Sequence, residues 1–79
     1  MSGVLNEALK RSRMRRRLPD PAGRRLLRER AGLSQGDIAR ALNVGRPTVC
    51  RWETGEREPG PEKLAAYLAL LNRLTREVV

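Results

Sequence analysis

Apolar side chains recur along this chain at the three- and four-residue steps of helices. The segment from Pro61 to Val79 carries Leu64, Leu68, Leu71, Leu74 and Val78 in that spacing, flanked by Tyr67 and Leu70. Pro61 suits a first helical turn and no Gly interrupts the segment after it, so the pattern predicts one long final helix. A shorter repeat from about Ala22 to Ala31 turns Leu26, Leu27 and Ala31 toward a core and ends at Gly32, with Leu33 packing beneath the turn. Between these two lie Ile38 and Leu42 on one short apolar face and Val49 and Trp52 on another. Near the start, Val4, Leu5, Ala8 and Leu9 have helical spacing over Ser2 to about Met14. The expected fold is all-α, a compact domain of four to five helices.

The stretch from Gln35 to Thr54 reads as a complete helix-turn-helix, a device whose second helix enters the DNA major groove. Two short helices crossing steeply need apolar contacts, supplied by Ile38, Leu42, Val49 and Trp52, and a small residue at closest approach, supplied by Ala39. Val44 plugs the turn. Asn43 falls where the chain takes a left-handed conformation, which Asn tolerates better than most residues. Ser34 is the N-cap of the first helix and Gly45 precedes the second, with Pro47 in its first turn, where a missing N–H costs little.

Through Ser34-Gln35, Ile38-Ala39, Leu42, Val44, Val49, Trp52-Glu53, Gly55 and Pro59, the chain from Arg24 to Leu71 resembles the Cro and phage-repressor (Xre-type) helix-turn-helix family. The resemblance implies a lambda-repressor-like fold and DNA binding. It also pairs Arg28 with Glu53 in a partly buried ion pair, and makes Gln35 and Thr48 phosphate-anchoring residues. Several positions depart from the family pattern. Arg24 stands where an aliphatic residue is common, Gly36 where Glu is, Gly45 where a Ser cap is frequent, and Glu56 and Glu58 lie in a loop that is often basic.

Length, charge and chemistry narrow the function. Seventy-nine residues allow one small domain, without a separate sensing domain. The net charge of +8 implies a polyanionic partner. Residues 1–17 hold six of the seventeen basic residues and one acidic residue. The domain reading therefore gives a basic N-terminal arm over 1–20 (Lys10, Arg11, Arg13, Arg15, Arg16 and Arg17), closed by Pro19 and Pro21, and a DNA-binding domain over 21–79. The arm admits three roles: a flexible, solvated or partly helical tail that aids non-specific DNA binding, an arm entering the minor groove, or a membrane-surface segment. A single Cys and no His leave neither a disulfide, a metal site nor a Cys/His nucleophile, so no cofactor and no catalysis are expected. The N-terminus lacks the apolar stretch of a signal peptide, and the longest apolar run, Leu64 to Leu71, is too short for a bilayer. The expected location is the cytoplasm, on a bacterial nucleoid or as a phage-encoded protein.

If Val49 and Trp52 face inward, Arg46, Pro47, Cys50 and Arg51 face the groove. Arg46 and Arg51, which can donate two hydrogen bonds to guanine, are the expected base readers, with Pro47 between them. Cys50 stands near the DNA as a thymine-methyl contact, an oxidation-sensitive thiol or a small filler. Leu70, Leu74 and Val78 reach past the expected core, either as a homodimer face or packed on the same chain as a bent extra helix. The function read from the sequence is a duplex-DNA-binding transcriptional regulator, a repressor acting as a dimer on a pseudo-palindromic operator. The alternatives are an antitoxin with a toxin partner, or a protein- or RNA-interaction module.

Overall fold

Local partners for the first free amides decide where the helices begin. The computed structural model describes residues 2–78, and the side chains of 2–77. Helix α1, Gly3–Arg17, starts behind Ser2, whose Oγ accepts the amides of Val4 and Leu5 at 3.1 and 3.3 Å. Helix α2, Pro21–Arg30, starts behind Asp20, whose Oδ1 accepts the Gly23 amide at 2.8 Å. Helix α3, Gln35–Leu42, is closed by a reciprocal box: Ser34 Oγ accepts from Asp37 N, and the Asp37 carboxylate accepts from Ser34 N. The Ser34 amide holds the Asp37 carboxyl below its ordinary pKa. Helix α4, Arg46–Thr54, comes after Gly45, and helix α5, Pro61–Val78, runs without a break.

Two stop signals need a left-handed backbone. Asn43 ends α3 at φ 56°, as the sequence predicts, and Gly55 ends α4 at φ 80°. A Cβ at Gly55 would stand 3.2 Å from the Pro21 ring, so any other residue there meets strain and crowding together.

Helix α5 is the spine. It packs on α1, α2 and α3, while α4 packs on α2 and α3. Ile38, Ala39, Leu42, Val49, Trp52, Tyr67, Leu71 and Leu74 make one buried cluster. The Trp52 and Tyr67 rings sit with centroids 4.6 Å apart, tilted by 38°. Burial pushes the Tyr67 phenol up to about 12, so it stays neutral at any ordinary pH. Ala39, 4% exposed, occupies the close approach assigned to it.

Three expectations meet a different arrangement. Leu26 is 46% exposed, because the inward stripe of α2 is Arg24, Leu27, Arg28 and Ala31. Leu26 lies about 100° around the helix from Leu27, and only one of them can point inward. Of the two roles open to Leu74, a homodimer face or packing on the same chain, the dimer face does not stand: Leu74 is 7% exposed within the chain's own core, beside Ala31 and Leu33, and Leu70 packs against the same cluster. The end of α2 and the turn after it thus cover Leu74. Val78's side chain lies outside the described residues. The basic arm, read as flexible or partly helical, is helical through Arg17. Met14 lies beside Leu68, and Leu18 packs against the core. Arg15, Arg16 and Arg17 occupy the last turn, where positive charge favours the helix dipole.

Truncating Leu74 to Ala is expected to destabilise the monomer by about 2–5 kcal/mol, read from denaturant unfolding followed by the fluorescence of Trp52. An unchanged midpoint would return Leu74 to the surface.

Candidate nucleic-acid interface

The outward face of α4 is fixed by the grip on its inward one. Val49 and Trp52 are buried in the core, and the next residue, Glu53, is buried as a carboxylate. Arg28 meets it with two parallel bonds, Nε to Oε2 at 2.7 Å and Nη2 to Oε1 at 2.8 Å, and donates its remaining Nη1 to the Leu33 carbonyl at 3.0 Å. Gln35 Nε2 adds a third donor to Glu53 Oε1 at 3.1 Å. Burial raises the pKa of Glu53, but the bonds from Arg28 and Gln35 outweigh it and hold the carboxyl below its ordinary value. The same carboxylate raises that of Arg28 further above the usual range.

One turn earlier on α2, Arg24 is 4% exposed and fully engaged. It donates Nε to the Pro19 carbonyl at 2.8 Å and Nη1 to the Trp52 carbonyl at 3.0 Å, and both Nη atoms reach the Glu58 carboxylate, at 3.1 and 2.7 Å. The Trp52 carbonyl belongs to the last turn of α4, where a cation also opposes the negative end of the helix dipole. In the sequence Arg24 stands out only as an arginine at a commonly aliphatic position. The signal lies in a pair of departures, an Arg at an aliphatic position and a Glu in a commonly basic loop.

Anchored this way, α4 exposes Arg46, Pro47, Cys50 and Arg51 together, while Thr48 is half-buried. The two arginines expected to read bases are both exposed but stand about 140° apart around the helix, Arg46 lining a cleft with Cys50 and Thr54 and Arg51 one with Thr48 and Glu56. Arg51 Nε lies 3.7 Å from Glu56 Oε2, with both side chains more than half exposed, a contact weak enough to exchange for another partner. A shallow cleft lined by Arg25, Ser34, Gln35, Arg46, Cys50 and Thr54 joins the start of α3 to α4. Gln35, expected to anchor a phosphate, has its side-chain nitrogen committed to Glu53. The basic residues of α1 sit on a helix that packs on α5, and Arg15 Nη1 donates to the Pro59 carbonyl at 3.0 Å in the loop after α4. Among the described residues no three His, Cys, Asp or Glu side chains gather as metal ligands would.

The sequence profile of the helix-turn-helix family matches residues 25–78. The chain belongs to that family, in its Cro and phage-repressor, Xre-like branch. No curated protein and no solved structure matches it. The five helices, with no strand among the described residues, are those of an all-α helix-turn-helix domain, and this is a family of DNA-binding regulators. The family match begins within α2, so α1 lies outside it. Among the described residues no helix is long and apolar enough to cross a membrane.

Breaking the Arg28–Glu53 pair from either side leaves a buried charge unpaired and is expected to cost about 3–5 kcal/mol, with a clear coupling energy in the double-mutant cycle. The pH dependence has a definite sign. Because the folded Glu53 carboxyl sits below its ordinary pKa, its contribution is complete above that value and is lost as pH falls through the lowered one. Stability curves of the unmutated chain and Glu53→Gln should therefore converge as pH drops below about 5, and parallel curves would contradict the assignment.

Proposed function

We propose that the protein is a sequence-specific transcriptional regulator that binds duplex DNA through α4 and represses by occupying its operator. The observation that supports this reading is that α4 buries Val49, Trp52 and Glu53 against α2, α3 and the core and leaves Arg46, Pro47, Cys50 and Arg51 exposed. In this reading Arg46 and Arg51 donate to guanine O6 and N7, Arg51 leaving Glu56 to do so, because a guanidinium forks onto that edge in the major groove. Thr48, together with the amide end of α3 beside Gln35, meets phosphate and sets the register of the helix on the duplex. Cys50 stands between the two arginines as a small side chain that lets α4 approach the groove floor.

Repression by occlusion needs only that the operator be filled. Two copies on a pseudo-palindromic operator would place their half-sites about one helical turn, roughly 10 bp, apart. Their contact would use a surface other than Leu74, which the monomer itself covers.

Selection of bound duplexes from a random pool yields the operator. On the selected duplex, Arg46→Ala and Arg51→Ala are each expected to lose about 1–3 kcal/mol, and far less on random DNA. Equal losses on both DNAs would make these residues phosphate contacts, and the lack of any enriched sequence would remove the base-reading role altogether.

A further inference from the structure

Helix α1 carries a feature that base reading by α4 does not require. Leu5, Leu9, Arg13 and Arg17 succeed one another at four-residue steps and so form one ridge along the helix. The first half of the ridge is apolar and open to solvent, with Leu5 47% and Leu9 43% exposed and Val4 beside them at 79%. The second half is cationic. There the ridge borders a groove whose α5 wall presents Ala65 and Ala69, both exposed, over Met14 and Leu68. None of the six basic residues of α1 has an ion-pair partner among the described residues. The base of α1 is held firmly: Arg15 donates to the Pro59 carbonyl, and the turn into α2 is pinned where Arg24 donates to the Pro19 carbonyl.

We infer that this ridge and its groove are a docking surface for a helical segment of a different protein, with aliphatic side chains at one end and carboxylates at the other. Charge and pattern select that occupant. A second copy of this chain does not match, since parallel pairing sets Arg13 and Arg17 against their own copies and antiparallel pairing sets them against Leu9 and Leu5. A nucleic acid would answer the cations but leave Leu5 and Leu9 in water. An amphipathic helix of mixed acidic and aliphatic character covers both halves, and the small side chains of Ala65 and Ala69 leave room for its backbone to come close. The ridge from Leu5 to Arg17 is about 18 Å long, so the docked segment needs about three and a half turns. Docking on this ridge does not depend on which bases α4 reads.

The test uses the full chain and a synthetic helical peptide of about sixteen residues, with two Leu on the first half of one face and two Glu on the second half. A control peptide of the same composition interleaves the Leu and Glu. At about 0.15 M salt the segregated peptide should bind at least about tenfold more tightly than the interleaved one, and should shift the amide resonances of Leu5, Leu9, Arg13 and Arg17. Leu5→Glu with Leu9→Glu should remove about tenfold or more of that affinity while the base preference of DNA binding is unchanged, since both side chains are exposed and α1 packs on α5. Three results would overturn the inference. One is equal binding of the two peptides, which leaves only unspecific charge attraction. Another is a DNA-binding salt slope that becomes shallower by about 0.9 for each of Arg13→Gln and Arg17→Gln, which makes the ridge a nucleic-acid surface. The third is a dimer of the unmutated chain, seen by sedimentation, that the two Leu→Glu changes dissolve.

Discussion

Two arginines on α2, one turn apart, take hold of two consecutive residues at the end of α4. Arg24 binds the main-chain carbonyl of Trp52 and Arg28 the side-chain carboxylate of Glu53. A guanidinium can be buried only when its donors are nearly all used, and here each reaches acceptors on three separate parts of the chain or on both oxygens of a carboxylate. Such a requirement fixes geometry more tightly than apolar packing does, because an arginine fork meets its acceptors only in narrow directions. The rotation of α4 about its own axis is set by this. With Val49 and Trp52 inward and Glu53 clamped, Arg46, Cys50 and Arg51 have only the outside to occupy.

The same clamp reaches beyond α4. Through Glu58 and the Pro19 carbonyl, Arg24 joins the loop after α4 to the turn between α1 and α2, and Arg15 fastens the end of α1 to Pro59 in that loop. A segment that lies outside the family match is thereby built into the frame that orients α4. The outward residues, by contrast, are loosely held. The Arg51–Glu56 contact at 3.7 Å between exposed side chains is of a kind that contributes little to stability, which agrees with the proposal that Arg51 exchanges Glu56 for a base.

Much of the fold is legible in the sequence, for reasons that are local. Ser34, Asn43, Gly45 and Pro47 act within one turn of themselves, and the Ile38, Leu42, Val49 and Trp52 pattern is a matter of helical spacing, so boundaries and the inward face of α4 can be read directly. Arg28 and Glu53 come through the family resemblance. The features that escape depend on contacts distant in sequence. The burial of Arg24 rests on Glu58, thirty-four residues away, and no spacing rule links them. The placement of Leu74 depends on Ala31 and Leu33 closing over it, and the helicity of α1 as far as Arg17 depends on the side of α5 that its Met14 covers. Leu26 and Leu27 both read as inward because two adjacent leucines carry no sign of which one the register favours.

If the buried grip on α4 exists to present two arginines to base edges, guanine-N7 methylation interference on the selected duplex is the most direct measurement, run with the unmutated protein, Arg46→Ala and Arg51→Ala. Methylation blocks the edge that an arginine fork would read. Each variant should become indifferent to methylation of one guanine that matters to the unmutated protein, a different guanine for each arginine, while remaining sensitive elsewhere. The same interference pattern for all three proteins would place neither arginine on a base and would contradict the assignment of α4 as the reading helix.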